Sequence, residues 1–277
     1  MRDIMIKQII PKQFGEISPL DNMCSRDIEE SIQKYFGVGL QALMLICAAL
    51  EKLKIKPTNI LDIPCGYGRV LRFLRAAFPN SKIHACEIQQ EAVEFCAKNF
   101  HAKSAYSNDN FDMTFEDNVK FDLIWVGSLV THLPESRTAQ FMKSISSLLS
   151  DSGIVIITSH GELIIKRMLS GERFGIKGSP IREQIVDDFM NKGYGFSHYA
   201  HLNMVNYGHS VISHKWFQEN AEAANLALIS FSPGEWAGQD VCIFKKTTYK
   251  SRVGSGAIRC FYPRTTYSKT GNKKGEV

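Results

Sequence analysis

Short apolar runs alternate with longer amphipathic stretches through the central part of the chain. Four of these runs are almost continuously apolar: residues 59–63, 83–86, 121–126 and 153–160. Continuous apolar runs of strand length are typical of parallel strands that are buried on both faces. The stretches between the runs have the length of helices, and signals such as Asp151-Ser152-Gly153 mark turns. The pattern therefore predicts an α/β domain in which helices cover both faces of a mostly parallel sheet.

The regions before and after this alternating pattern also give local predictions. Two helices are predicted near the start of the chain, over residues 26–35 and 39–53, and two more over residues 161–168 and 181–190. The helix expected directly after the fifth strand is predicted at 214–225, so about fifty residues are inserted between the two. The last two strands are predicted at 227–232 and 240–246, with a turn over Pro233-Gly234-Glu235-Trp236.

These elements divide the chain into four parts. Residues 1–56 are predicted to form an N-terminal helical cap that begins irregularly, and residues 57–248 the main domain. An insertion over 160–212 is predicted to form the lid or pocket for a substrate, because loops at the carboxyl ends of strands lie beside the crevice. A structural β-hairpin packed on the sheet is the alternative for this insertion. Residues 249–277 are predicted to be a flexible tail, and their seven basic residues and one acid concentrate the net charge of +5 there.

A tight glycine loop follows the first strand, and an acid ends the second. The loop reads Asp62-Ile63-Pro64-Cys65-Gly66-Tyr67-Gly68, and Glu87 follows Gly68 by nineteen positions. Glycine lets the backbone turn sharply and approach a ligand, and the helix after the loop, at 69–77, directs its first amides there. Glu87 is placed to accept hydrogen bonds from two ribose hydroxyls. Leu71 stands where a dinucleotide fingerprint requires a small residue, which disfavours an NAD oxidoreductase.

These residues resemble the class I (Rossmann-like) S-adenosylmethionine-dependent methyltransferases of the small-molecule type. The family loop reads acid-x-Gly-x-Gly-x-Gly, and Pro64 here replaces the first glycine and removes its N–H. The resemblance covers roughly residues 55–160 and, more loosely, 213–247. It implies a doubly wound, mostly parallel seven-stranded sheet of order 3-2-1-4-5-7-6, with N-terminal helices and an insertion after strand 5. It also implies S-adenosyl-L-methionine as the cofactor.

The same resemblance indicates which positions contact the cofactor. They lie in the glycine loop, at the end of the second strand, in the turn after the third and in the loop after the fourth. The predicted contacts are Asp62, Pro64, Cys65, Gly66, Gly68, Glu87, Ile88, Asn108, Asp109, Gly127 and Ser128. Asp62, which precedes the glycine loop, suits a ligand with a cationic or amine end.

Candidate catalytic and acceptor residues lie at the carboxyl ends of the strands and in the insertion. Methyl transfer needs a positioned acceptor, and it needs a base only if the acceptor must lose a proton. His132 and His160 follow the fourth and fifth strands and are the candidate bases, although a packed His132 is an equal alternative. The predicted acceptor contacts are aromatic or imidazole side chains, for which core packing is the alternative: Tyr194, His198, Tyr199, Tyr207 and Trp236.

The motifs that the sequence lacks restrict the class of methyl acceptor. No Asn-Pro-Pro-Tyr motif follows the fourth strand, where Gly127-Ser128-Leu129-Val130 stands instead, and no cysteine nucleophile motif is present. A small-molecule acceptor is therefore favoured over nucleic acid, although the missing motifs do not decide between attack by O, N or C. For the function as a whole we expect methylation at O or N rather than at C. An RNA methyltransferase that uses the basic tail and a non-catalytic binding module are the alternatives. The histidines at 198, 201, 209 and 214 have no metal-ligand spacing, so no metal is predicted.

Cysteine usage and hydropathy indicate the compartment. Seven cysteines without a Cys-x-x-Cys pair predict reduced thiols in a cytoplasmic protein. The longest apolar stretch, residues 42–50, falls short of the roughly 20 residues that span a bilayer and predicts a buried helix. No membrane association is expected, and the sequence does not indicate an oligomeric state.

Overall fold

The structure is a computed structural model, and it describes residues 15–115, 118–173, 176, 178–199 and 204–247. The start of the predicted irregular segment, residues 1–14, and the predicted basic tail, 249–277, lie outside the described residues. So does His201 of the histidine group.

Nine strands form within the described residues, seven of them in one sheet. They are β1 (Asn59–Asp62), β2 (Lys82–Glu87), β3 (Lys103–Tyr106), β4 (Phe121–Val126), β5 (Leu149–Ser159), β6 (Tyr194–Tyr199), β7 (Met204–Ile212), β8 (Leu226–Trp236) and β9 (Gln239–Lys246). The large sheet has the order β3-β2-β1-β4-β5-β9-β8, and β6 and β7 form a separate hairpin. Strands β1 to β5 pair in parallel, and β9 runs antiparallel to both β5 and β8. The predicted fold class and strand order are confirmed.

The apolar runs form this sheet because both of its faces are buried. Neighbouring residues of a strand point to opposite faces, and here each face has its own core. Leu61 and Ile124 belong to a cluster that includes Phe141. Their neighbours Ile60 and Leu123 belong to a second cluster on the other face. All of these side chains are fully buried, so a polar residue in either register would lose its hydration.

Seven helices lie within the described residues. They are α1 (Glu29–Leu53), α2 (Leu71–Ala77), α3 (Gln90–Phe100), α4 (Glu135–Leu148), α5 (Glu162–Leu169), α6 (Ser179–Lys192) and α7 (His214–Ala223). The prediction of two separate N-terminal helices is wrong, because α1 continues through Gly37 and Gly39. Gly39 serves close packing instead of a break. A Cβ there would lie 2.6 Å from the Phe73 ring and would clash with the Arg69 carbonyl oxygen.

Helix α1 is both apolar and packed against the sheet. By length and composition it could cross a membrane, since an 18-residue window has a mean hydropathy of 1.6, and 39% of that window is buried within the structure. Its inner side chains Ala42, Ile46 and Leu50 share a core cluster with Ile60 and Leu74. The buried helix predicted over residues 42–50 is thus part of a longer helix, which is buried along one side.

The carboxyl-terminal hairpin differs from the prediction at its turn. Strand β8 continues through Pro233 and Gly234 to Trp236, and the turn lies at Ala237 and Gly238, with φ of 50° and 79°. The strand pairing shifts register between Ser232 and Trp236. Proline cannot donate to a ladder hydrogen bond, so a bulge is where it is tolerated inside a strand. The Pro-Gly pair marks that irregularity and not the reversal of the chain.

The insertion after β5 consists of two helices and a hairpin. Helices α5 and α6 confirm the helices predicted at 161–168 and 181–190, and the hairpin β6–β7 follows them. The insertion has a small core of its own, in which Ile165, Ile185 and Val211 are buried. Its position after β5 carries the hairpin to the edge of the sheet where the parallel strands end.

Candidate functional site

The glycine loop after β1 has the left-handed backbone that favours glycine. The φ angles of Gly66 and Gly68 are +47° and +80°. A Cβ on Gly66 would meet nothing within 4 Å, so this backbone borders open space, whereas a Cβ on Gly68 would lie 2.6 Å from the Phe100 ring of α3. Gly66 therefore allows close approach of a ligand, and Gly68 allows close packing of the loop on α3. The loop begins with a cis peptide bond between Ile63 and Pro64.

Glu87 at the end of β2 lies beside this loop, where the sequence places it. Its Oε2 accepts a hydrogen bond from the Gly66 amide at 3.2 Å, and its Oε1 accepts one from the Ile88 amide at 2.8 Å. The Cys65 amide donates to the Cys86 carbonyl oxygen at 3.0 Å, which ties the loop to β2. The carboxylate and the open backbone at Gly66 thus form one edge of a crevice.

Asp62 supplies a buried carboxylate next to the loop. Only 1% of this residue is exposed, and its Oδ2 has no hydrogen-bond partner among the described residues. Burial raises the pKa of Asp62 well above its usual value, and the charge of Glu87 raises it further, against the opposing effects of Arg69 and the Leu71 amide. A buried carboxylate oxygen without a donor is costly, so a donor on a ligand would stabilise it.

The turn after β3 borders the crevice at the other side of Glu87. The Ser107 amide donates to the Glu87 carbonyl oxygen at 3.1 Å. Asn108 and Asp109 are exposed, and the Asn108 side-chain oxygen accepts from the Asn110 amide at 2.9 Å. Ile88 is 55% exposed beside them, and it offers an apolar surface to a planar ring.

The loop after β4 is held by a closed set of hydrogen bonds. Ser128 has a φ of +63°, which is uncommon for a residue other than glycine. Its amide donates to Thr158 Oγ1 at 2.8 Å, Thr158 Oγ1 donates to Gln239 Oε1 at 2.7 Å, and Gln239 Nε2 donates back to Ser128 Oγ. Thr158 and Gln239 lie on β5 and β9, and sequence reasoning missed both. The sequence marks them only by position, because Thr158 lies at the carboxyl end of β5 and Gln239 lies in the strand paired with β5.

Gly127, the other residue predicted in this loop, is required by packing. A Cβ there would lie 2.8 Å from Trp125 Nε1 and 3.3 Å from the Trp236 ring. The two tryptophans pack edge to face, with centroids 5.2 Å apart. The backbone after β4 can therefore lie close to the crevice floor only because residue 127 has no side chain.

His132 lies in the same loop, under the hairpin of the insertion. Its Nδ1 is 2.9 Å from the Gly208 carbonyl oxygen. A carbonyl oxygen only accepts, so Nδ1 carries the proton and Nε2 keeps its lone pair. The ring stacks on Tyr207, with centroids 4.8 Å apart and planes at 24°, and the Tyr199 hydroxyl is 3.1 Å from Nδ1. Burial lowers the pKa of His132 and keeps the imidazole neutral.

The hairpin is fixed over this loop by its backbone. The Gly208 amide donates to the His132 carbonyl oxygen at 2.8 Å, and the Ser210 amide donates to the Thr131 carbonyl oxygen at 2.8 Å. Burial raises the pKa of Tyr207 to about 12, and the charges of Tyr199 and Glu87 add to the increase. The influence of Glu87 places Tyr207 within electrostatic range of the crevice.

His160 belongs to the same cluster. Burial lowers its pKa to about 4, and the neighbouring imidazoles His132 and His209 lower it further when charged. The Ser210 backbone forms a hydrogen bond with it. The two predicted bases are therefore close together and both neutral near pH 7. His209, which packs edge to face on Tyr199 at 4.6 Å, was missed among the other histidines of the insertion.

Two of the predicted acceptor contacts, Tyr194 and Trp236, lie in the core of the structure. Tyr194 is 1% exposed, and its hydroxyl donates to the Leu133 carbonyl oxygen at 2.7 Å. Trp236 is also 1% exposed, and its Nε1 donates to the Val38 carbonyl oxygen at 3.0 Å. Both side chains are satisfied by the protein itself. His198 is exposed on β6, and Tyr199 and Tyr207 are half-buried beside His132.

One cavity lies away from this crevice. It has a volume of about 260 Å³ and lies between the carboxyl end of α1 and the segment before β1, where Leu50, Ile55 and Phe78 line it. Asp62 and the glycine loop are at the opposite end of β1. The cavity therefore has no part in the chemistry of the site. Within the described residues, no group of three His, Cys, Asp or Glu side chains could hold a metal ion.

The sequence and the fold both match known methyltransferases. Residues 61–155 match a family model described as a methyltransferase domain. That range begins within β1 and contains β2 to β4, the glycine loop, Glu87 and His132. No curated protein sequence matches the chain significantly.

Three solved structures share the fold over most of their length. An S-adenosylmethionine-dependent methyltransferase from Clostridium acetobutylicum ATCC 824 is 12% identical, with a TM-score of 0.52, over 78% of this chain and 92% of that one. The PH0226 protein from Pyrococcus horikoshii OT3 is 13% identical, with a TM-score of 0.54, over 81% and 95%. The CcbJ methyltransferase from Streptomyces caelestis is 11% identical, with a TM-score of 0.51, over 76% and 90%. At these identities the likeness is one of fold.

Proposed function

We propose that the chain is an S-adenosylmethionine-dependent methyltransferase that methylates a small molecule at oxygen or nitrogen rather than at carbon. The match of residues 61–155 to a methyltransferase domain supports the reaction class, and His132 supports the acceptor atom. Its Nδ1 is held by the Gly208 carbonyl oxygen and its ring is stacked on Tyr207, so Nε2 would be left to act as a base.

The crevice residues fit this cofactor. The orphaned Oδ2 of Asp62 would accept from the ammonium group, and the Glu87 carboxylate would accept from the ribose hydroxyls. The open space at Gly66 admits the ligand against the backbone, and exposed Ile88 would pack on the adenine ring, with Asn108 and Asp109 at its edge. S-adenosylmethionine supplies an electrophilic methyl group on a sulfonium sulfur, so the protein needs no group to activate the donor.

The residues around His132 would prepare the acceptor. An acceptor hydroxyl loses its proton as its oxygen attacks, and neutral Nε2 of His132 would take that proton. His160, also neutral near pH 7, is the second candidate base. Tyr199 and Tyr207 would form the wall of the acceptor site, since each combines an apolar ring with a hydroxyl that can bond a polar substituent.

The charge of this wall favours a small acceptor over RNA. Burial lowers the pKa values of His132 and His160 and raises those of Tyr199 and Tyr207. All four side chains are therefore uncharged near pH 7. A polynucleotide needs lysine and arginine side chains against its phosphates, so an uncharged aromatic wall suits an uncharged metabolite better. We also propose a cytoplasmic location, because the six cysteines within the described residues are free thiols.

A screen of acceptor classes tests the proposal. Purified protein and S-adenosylmethionine carrying a labelled methyl group are incubated with pooled phenols and alcohols, pooled amines, carbon acids and a structured RNA. S-adenosylhomocysteine release and product mass are then measured. We expect turnover with a hydroxyl or amine pool, and a much lower rate in a matched reaction with Glu87→Ala protein at a cofactor concentration below the Kd of that variant. Methylation of the RNA alone would refute the small-molecule acceptor, and methylation of a carbon acid would refute the O or N assignment.

A further inference from the structure

We propose that Arg69 binds the carboxylate of the methionine end of the donor, so that Arg69 and Asp62 together recognise the whole α-amino acid group. The family resemblance of the glycine loop assigns no role to this arginine. The inference rests on the cofactor and is independent of the acceptor.

Arg69 follows the glycine loop directly, and aromatic rings hold its side chain. The guanidinium carbon lies 5.8 Å from the centroid of the Trp236 ring and 6.0 Å from that of Tyr35. Burial lowers the pKa of Arg69, but a guanidinium stays protonated at neutral pH. The rings therefore hold a cation, and contacts with ring faces leave its planar N–H donors available.

These donors have no acceptor among the residues that the structure describes. Within the described ranges, no hydrogen bond or ion pair reaches the Arg69 guanidinium, and only the more distant charges of Tyr35, Asp21 and Asp62 act on it. Arg72, one turn later, shows the contrast. Its Nε donates to the Gly68 carbonyl oxygen at 2.9 Å, and its Nη1 donates to the Gly15 carbonyl oxygen at 3.1 Å. Arg72 is committed to the fold, and Arg69 is available to a ligand.

The acids near Arg69 indicate what that ligand group is. Asp21 is occupied, because its Oδ2 accepts from the Tyr35 hydroxyl at 2.7 Å and its Oδ1 from the Met23 amide at 3.0 Å. Asp62 keeps one unpartnered oxygen, at 1% exposure. Among the described residues, one Asp62 carboxylate oxygen and the Arg69 guanidinium thus lack a hydrogen-bond partner, and both lie near the amino end of α2, where the Leu71 amide bonds the Asp62 carboxylate. An α-amino acid has an ammonium and a carboxylate on one carbon, so it satisfies both.

The carboxylate is the group that a guanidinium recognises best. The parallel N–H donors of arginine match the two oxygens of a carboxylate, and charge-assisted bonds of this kind are about twice as strong as neutral ones. Lysine provides the charge without the planar pair of donors. An Arg69→Lys protein should therefore keep part of the affinity, and an Arg69→Met protein should keep only the packing.

Calorimetric titration with two ligands separates this role from a structural one. S-adenosylhomocysteine carries the amino acid group, and 5′-methylthioadenosine has the same nucleoside without it. We expect Arg69→Met to weaken S-adenosylhomocysteine about 10- to 100-fold and to leave methylthioadenosine nearly unchanged. Arg69→Lys should lie between, and Arg173→Met, at an exposed arginine outside the crevice, should behave as wild type.

Several results would overturn the inference. Unchanged affinity of Arg69→Met for S-adenosylhomocysteine would do so, and so would an equal loss with both ligands, which indicates a structural role. If Arg69→Met does not fold, wild-type protein is titrated with S-adenosylmethionine and its decarboxylated form, which keeps the amine. Equal affinities would then overturn the inference, and a loss of about tenfold or more would support it. Wild-type protein that binds none of these ligands would refute the cofactor assignment itself.

Discussion

Replacing Glu87 by alanine removes the carboxylate that borders the crevice opposite Gly66. In the structure this carboxylate accepts from the Gly66 amide at 3.2 Å and from the Ile88 amide at 2.8 Å, and two ribose hydroxyls would donate to the same oxygens. A net hydrogen bond to a charged group contributes about 1.5–3 kcal/mol. Because Glu87 is half-exposed and already bonded, we expect a total loss of about 1–3 kcal/mol, which is about 5- to 150-fold in Kd.

Calorimetric titration of Glu87→Ala with S-adenosylhomocysteine measures this loss directly. Glu87→Gln keeps one acceptor oxygen without the charge, so its loss should be smaller. Glu91→Ala removes an exposed acid four residues further along and should bind as wild type. Thermal unfolding of each protein without ligand checks that the loop still folds, and a decrease of more than several degrees would show damage beyond the site.

The reasoning fails if Glu87→Ala binds with wild-type affinity at an unchanged melting temperature. The ribose would then lie elsewhere, and the open backbone at Gly66 would have to serve another part of the ligand. An equal loss in Glu91→Ala would also contradict it, because the effect would then come from the general negative charge near α3.

Three further predictions concern the loop, the base and a buried acid. Gly66→Val should abolish S-adenosylhomocysteine binding in calorimetry, because its side chain would enter the open space at a φ of +47°; normal binding would refute the loop assignment. His132→Asn should lower kcat on a hydroxyl acceptor about 10²- to 10⁴-fold. In the wild type, kcat should fall at low pH with a midpoint below pH 6.5, because burial lowers the pKa of His132. An unchanged pH profile in the variant would exclude His132 as the base. Asp240, 1% exposed, has its pKa raised by burial from 3.8 to about 6. The folded state therefore keeps a proton that the unfolded state loses as the pH rises from about 4 to 6, and wild-type stability falls over that window. Asp240→Asn protein should consequently be more stable than wild type by about 1–3 kcal/mol at pH 7.5, with no advantage at pH 4. Urea unfolding of both proteins at both pH values measures this difference. An equal difference in stability at the two pH values would contradict the raised pKa of Asp240.

The sheet was predictable from the sequence because its strands are buried on both faces. Double burial leaves a largely apolar run in the central strands, as in 121–126, and such a run can be recognised without knowledge of its neighbours. The order of the strands came from the resemblance carried by the glycine loop. The continuous α1 was not predictable, because Gly39 is required by Phe73 and the Arg69 carbonyl oxygen, which lie thirty or more residues away in the sequence.

The candidate site was likewise predictable only where its residues are close together in the sequence. The glycine loop and Glu87 belong to one strand–helix–strand unit, so local spacing placed them together. The bonds between Ser128, Thr158 and Gln239 join the loop after β4 to β5 and β9 and leave no local pattern in the sequence. Composition marked the insertion as rich in aromatic residues, but it could not distinguish Tyr207, which stacks on His132, from Tyr194, which packs in the core.

The contacts between α1 and the last hairpin have a consequence for how this protein folds. Gln41 Nε2 donates to the Glu235 carbonyl oxygen at 2.7 Å, the Ala237 amide donates to Gln41 Oε1 at 3.2 Å, and Trp236 donates to Val38. These partners are 194 to 198 positions apart in the sequence. Contacts between such distant positions require the closure of a long loop, which makes them slow to form. We therefore expect the hairpin to dock on α1 late in folding, after the apolar side chains of α1 have packed on β1 and α2.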